Sequence, residues 1–195
     1  MKTTYNGKAI ALLVALLVSG SAFAQESSFI VGGGWATISP EYFSNSASGY
    51  RINGLYEYNP GQGNVAHGLN IGYVNTTASG TSSGPAGVIV GTANVTLRSI
   101  PVYYAPKIYF GESEKFKFFL KGALGWQFGG YKAEGSNTTI EVNDSGFYGG
   151  LGAGGALNFN EKMFLNLEYE WAYAANMYYG NGYINSVQLG LGFRF

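Results

Sequence analysis

The strongest signal in the chain is a period of two. Over residues 187–195, Val187, Leu189, Leu191, Phe193 and Phe195 fall on one parity and Gln188, Gly190, Gly192 and Arg194 on the other. That alternation predicts a β-strand with one apolar face and one small or polar face. Seven earlier segments alternate similarly: residues 29–38, 50–58, 65–74, 94–110, 116–128, 147–159 and 163–173. In the fourth the parity breaks, because Val95 and Leu97 are odd while Ile100, Val102, Tyr104, Ile108 and Phe110 are even. A bulge near residues 98–99 would restore the register. In the fifth, Phe119 is the one large apolar residue on the polar parity. The intervening stretches 39–48, 75–91 and 130–144 are long, whereas 59–63, 111–115 and 160–162 are short and 176–182 is intermediate.

Composition turns this list of strands into an architecture. Residues 1–24 carry Lys2 and Lys8, an apolar run over 9–18 and the ending Ser21-Ala22-Phe23-Ala24. This is the layout of a cleavable signal peptide, leaving a domain over 25–195. The apolar run falls short of the ~20 residues that a spanning helix needs. Charged residues make up only 11% of the chain against 16% aromatic, with 31 glycines. Ordinary domains use about 25% charged residues to meet water. No apolar helix-length segment follows Gln25, so the spanning structure left is a sheet closed on itself. The expected fold is all-β, an eight-stranded antiparallel up-and-down transmembrane β-barrel. A soluble barrel would put the apolar parity inward. The polar parity here is mostly Gly, Ala and Asn, a poor water surface and a good lumen packing. Short turns alternating with long connections put both termini on the periplasmic side. Tyr and Trp near segment ends fit interfacial girdles.

Most chemistry is excluded. With no Cys there are no disulfides, thiolate zinc sites or cysteine nucleophiles. Losing Lys2 and Lys8 leaves the mature domain slightly acidic, so nucleic acid is not an expected partner. The one histidine, His67, falls on the lipid-facing parity beside a short turn and reads as interfacial. Gly32-Gly33-Gly34 and the glycines of 149–155 precede no helical pattern, so they mark strand bends or tight lumen space rather than phosphate cradles. Glu134, Glu141 and Asp144 read as solvated loop carboxylates. No catalytic residue, cofactor or metal site is expected. What remains is a set of charges on the lumen parity: Arg51, Lys107, Lys117, Lys121 and Arg194 against Glu57, Glu168 and Glu170. In a narrow barrel they are expected to pair, Lys121 level with Glu168 and Arg51 with Glu170 deeper in, two cations being left for water or the barrel end.

The stretch Ser-Ile-Pro-Val-Tyr-Tyr-Ala-Pro-Lys-Ile-Tyr-Phe-Gly at 99–111 and the ending Leu-Gly-Phe-Arg-Phe at 191–195 resemble the small OmpA/OmpX-like outer-membrane β-barrel family. The resemblance spans the mature length. It implies an integral position in a Gram-negative-type outer membrane, against lipid and lipopolysaccharide. It also implies that the barrel-assembly machinery reads the last strand through Val187, Leu189, Leu191, Phe193 and Phe195. Nothing follows Phe195, so the peptidoglycan-binding domain of two-domain members is not expected. Some eight-stranded barrels modify lipid A, but His67-Gly68-Leu69 does not match the deacylase pattern. The expected function is a non-enzymatic barrel with a plugged lumen and surface hairpins serving adhesion, envelope integrity or other surface interaction. A small-solute channel and a lipid-modifying enzyme are the alternatives. The sequence names no extracellular ligand.

Overall fold

A computed structural model describes residues 26–40, 46–60, 63–83, 89–134, 139–177 and 180–195. The signal peptide expected over 1–24 lies outside the described residues. Nine strands follow in order: β1 (Glu26–Pro40), β2 (Ala47–Asn59), β3 (Val65–Ser83), β4 (Ile89–Tyr104), β5 (Lys107–Phe110), β6 (Phe116–Glu134), β7 (Thr139–Asn158), β8 (Met163–Met177) and β9 (Gly180–Arg194). Apart from β4 and β5, consecutive strands pair antiparallel, and β1 pairs with β9 from Ser28↔Arg194 to Pro40↔Gly182. The sheet is therefore a ring without free edges. Main-chain bonds between Ser27 and Phe195 finish the seam.

Nine strands make eight staves because β4 and β5 share one. Both lie between β3 and β6, and the stave is interrupted only at Ala105-Pro106. Pro106 has no N–H to offer a ladder. The gap stays stitched on both sides, by Ala105 N–H to the Gly68 carbonyl (2.8 Å) and Gly122 N–H to the Pro106 carbonyl (2.9 Å).

Alternation decides what each stave presents. Trp35, Ile52, Ile71, Leu124, Leu151, Leu167 and Leu189 all point outward and are exposed, Leu151 by 67%. So continuous an exposed apolar surface belongs in lipid. The other parity points into the lumen. There Gly192 lets the Phe164 ring lie against the backbone; a Cβ would sit 2.2 Å from it. The short turns and both described chain ends share one end of the barrel. Gly111, at φ 109°, takes a left-handed conformation there that suits glycine.

Two expectations about the strands need correcting. No bulge occurs near residues 98–99: the β3–β4 register is continuous from Thr81↔Thr92 through Val74↔Ser99 to Leu69↔Tyr104. The shift lies instead between Thr81 and Ser83. Val95 and Leu97 keep their parity and are buried inside the barrel, while Arg98 faces out. The apparent break arises because the lumen becomes apolar at that level. The long loops expected over 75–91 and 130–144 are largely strand. The β6–β7 ladder runs unbroken from Phe116↔Leu157 to Glu134↔Thr139. Polar Ser, Thr and Asn carry no alternation signal, yet a ladder already in register gains backbone hydrogen bonds by extending past the apolar band.

Candidate functional site

The site of interest is the lumen. At its short-turn mouth, Ser27, Tyr109, Lys117, Phe164 and Arg194 border a cavity of about 60 Å³. Lys117 is exposed there. Arg194 donates to Asn158 Oδ1 (2.7 Å) and lies over the Phe164 ring at 4.5 Å. One layer deeper, Lys107 pairs with Glu57 (2.9 Å), and the Tyr109 hydroxyl donates to the same carboxylate. The Lys107 ammonium also sits 4.4 Å from the ring of Phe119, the apolar exception on its strand. That ring packs against Gly154, where a Cβ would meet it at 2.5 Å.

The centre of the lumen is one connected cluster. Arg51 on β2 donates to Glu170 on β8 (2.5 Å), to the Tyr103 hydroxyl on β4 (2.8 Å) and to the Tyr148 hydroxyl on β7 (3.2 Å). Lys121 on β6 reaches Glu170 (2.5 Å) and Glu168. Tyr103 and Tyr148 each donate to Glu170 at 2.6 Å, and their rings stack with centroids 5.0 Å apart. Arg51, Lys121 and Glu170 are buried at 2% exposure or less. Removed from water, the two cations are held by two carboxylates and by hydroxyls that satisfy the remaining lone pairs, the condition under which buried ion pairs persist. Above this cluster, Ser99 donates to Gln127 (3.1 Å). Beyond it stands an apolar collar that includes Ile38, Val74, Val95, Leu97 and Ile184.

The structure thus brings Arg51, Glu57, Lys107, Lys121, Glu168 and Glu170 into lumen ion pairs and leaves Lys117 and Arg194 at the mouth. Sequence reasoning passed over Tyr103, Tyr148, Tyr109 and the collar. The tyrosines were marked by their lumen parity. The collar was hidden by reading Val95 and Leu97 as a register break. Outside the lumen, His67 Nδ1 lies 2.5 Å from the Tyr104 hydroxyl on the outer wall. The two glycine runs lie within β1 and β7. Among the described residues no three of His, Asp and Glu gather as a metal-ligand set.

Comparison with known proteins agrees with this architecture. A family model described as outer membrane protein beta-barrel domain matches residues 10–195. No curated protein is similar enough in sequence to match the chain. The crystal structure of Neisserial surface protein A is similar with a TM-score of 0.62 at 13% identity, covering 87% of this chain and 97% of that one. Ail, the attachment invasion locus protein of Yersinia pestis, is similar with a TM-score of 0.56 at 17% identity, covering 89% and 100%. Ail in complex with the heparin analogue sucrose octasulfate gives 0.53 at 19%, again covering 89% and 100%. At these identities the likeness speaks for the fold.

Proposed function

The chain belongs to the outer membrane protein beta-barrel domain family and is an integral outer-membrane β-barrel protein, and from that premise we propose that it is a closed, non-enzymatic barrel acting through its long hairpins at the cell surface. In this reading the short turns and both termini face the periplasm, and the last strand is the segment that the assembly machinery engages. The observation that carries the closed state is the Arg51–Glu170–Lys121 cluster, which crosses the lumen from β2 to β8 and β6. An ion passing through would have to part these pairs and then cross the apolar collar, a constriction that sheds water.

The hairpin chemistry supports a surface role and narrows it. Segments 40–46, 79–93, 135–138 and 178–181 contain no Lys or Arg and are rich in Ser, Thr, Asn, Gly and Tyr. Ail has been solved with a polysulfated ligand. These tips offer no cation for such a ligand, so a neutral glycan or a protein surface with hydroxyl and apolar groups fits better. Planar-bilayer recording of the purified protein tests the closed state: no steady unitary current is expected, and open-channel currents would replace this reading with the channel. Orientation is tested in whole cells. The chain has no Cys, so a single Thr139→Cys should take up a membrane-impermeant maleimide and a single Ser113→Cys should not. The reverse pattern overturns the orientation.

A further inference from the structure

The cavity of about 60 Å³ at the short-turn mouth is walled by side chains from six strands. Register builds it. Glu57 on β2, Ser28 on β1 and Arg194 on β9 lie opposite one another in a single row. Lys117 reaches the same cavity from β6, Tyr109 from β5 and Phe164 from β8. Glu57 is already held by Lys107 and by the Tyr109 hydroxyl. That pair is neutral, so the net charge of the wall comes from Lys117 and Arg194.

Two further observations mark the cavity as a binding site. Among the described residues Lys117 makes no ion pair or side-chain hydrogen bond. Arg194 directs its donors to neutral oxygens, Asn158 Oδ1 (2.7 Å) and the Glu161 carbonyl (3.4 Å). The carboxylate of Phe195 pairs with neither cation; its oxygen accepts from the Ser27 N–H at 3.4 Å. Ser28 is 8% exposed, and its hydroxyl has no partner among the described residues. A buried hydroxyl left without a partner costs free energy that a ligand restores. Arg194 is also set in advance, since Asn158 holds one end of its fork and the Phe164 ring lies 4.5 Å from it. Little side-chain freedom is then lost on binding.

We propose that this mouth binds a carboxylate, the free C-terminal end of a peptide that finishes in a small residue. The carboxylate would accept from Arg194, Lys117 and the Ser28 hydroxyl, the planar fork of Arg194 suiting a planar acceptor. Volume sets the size. The cavity is roughly the share of two water molecules, space for a carboxylate with a methyl-sized neighbour and none for a sugar phosphate. Charge sets the valence, because two cations with the paired Glu57 behind them favour one negative charge over two. The rings of Tyr109 and Phe164 border the methyl. At the rim, Asn59 donates its Nδ2 to the Gly63 carbonyl (2.8 Å), which leaves Oδ1 to accept the N–H of the terminal residue. Capture of a terminal carboxylate together with its amide is a recurrent way of reading a peptide end.

The test uses the full mature barrel, refolded in detergent micelles and followed by its amide NMR shifts. N-acetyl-Ala-Ala with a free carboxylate is the probe; its C-terminal amide, acetate and inorganic phosphate are the comparisons. The free acid should give saturable shifts at Ser28, Lys117 and Arg194, and the amide none. Ser28→Ala and Lys117→Gln should each weaken binding of the acid about threefold and Arg194→Gln about tenfold, the worth of a partly exposed contact and of a preorganised charged one. Lys132→Gln, at the other end of the barrel, should leave it unchanged. Heat-modifiable gel migration reports that each variant is folded. Ser28→Ala and Lys117→Gln carry the test if Arg194→Gln, in the closing strand, does not assemble. No saturable shift, equal affinity for acid and amide, or unchanged affinity in the folded Ser28 and Lys117 variants overturns the site. Phosphate binding as tightly as the acid overturns the carboxylate, and acetate binding as tightly overturns the peptide end. Both ends of the barrel are accessible in a micelle, so this result is independent of the orientation and the surface role proposed above.

Discussion

At the scale of single residues, Glu170 carries the lumen. It accepts from Arg51, Lys121, Tyr103 and Tyr148. Glu170→Leu takes from Arg51 its carboxylate partner and leaves Lys121 only Glu168, and should cost on the order of 3–5 kcal/mol, the usual penalty for breaking a buried pair from one side. Glu168→Leu should cost less, because Lys121 retains Glu170. Combining it with Lys121→Met should cost less still, since the remaining Arg51–Glu170 pair is neutral. Urea unfolding in lipid vesicles ranks the three; a milder Glu170→Leu than Glu168→Leu would refute the assignment. Asn70 should behave oppositely. It is fully buried and neither of its amide atoms is bonded within the described chain. Replacing such a group by an apolar one of similar shape is close to neutral. Asn70→Leu should therefore change stability by no more than about 1 kcal/mol, in the stabilising direction, and a larger loss in the same assay contradicts this.

At the scale of elements, β9 closes the ring and ends on an exposed ring. Phe195 is 60% exposed, and its N–H bonds the Ser27 carbonyl at 3.0 Å. Its apolar side chain contributes at most about 3 kcal/mol, while the β1–β9 ladder runs the length of both strands. Deleting Phe195 should therefore leave a barrel that can fold in detergent. In cells, if the strand is the assembly signal, the same deletion should leave a protease-sensitive chain without heat-modifiable migration. Normal heat-modifiable protein in the deletion strain would reduce Phe195 to an interfacial anchor. The legibility of elements followed the apolar band. Residues 187–195 could be read from parity because lipid demands apolar side chains at every second position. Residues 75–83 and 130–134 could not, because their strand character comes from continued pairing and not from burial.

At the scale of the whole molecule, barrel and hairpins are separable. The ladders below the hairpins, such as Val74↔Ser99 and Gly125↔Tyr148, lie outside residues 79–87 and 136–139. Shortening the chain by residues 79–87 and 136–139 should leave heat-modifiable barrel at normal levels and reduce binding of cells to immobilised glycan or protein ligands. Unchanged surface binding would remove the hairpins from the function proposed here. An unfolded product would show instead that the extended ladders help hold the barrel.

The sequence by itself determined that the chain is a closed sheet in lipid, which parity faces the bilayer, and which charges lie on the lumen parity. Each of these follows from a local rule: period two, scarcity of charge, and the need to pair every backbone group where water is absent. Tertiary structure decided the rest. Whether Val95 and Leu97 marked a bulge or a change of lumen chemistry depended on their joining Val74, Ile38 and Ile184 in one buried apolar cluster. That Lys121 bridges two carboxylates while Lys117 remains at the mouth depended on the stagger between staves. Stagger is set by closure of the whole ring, and no segment of the chain carries it alone.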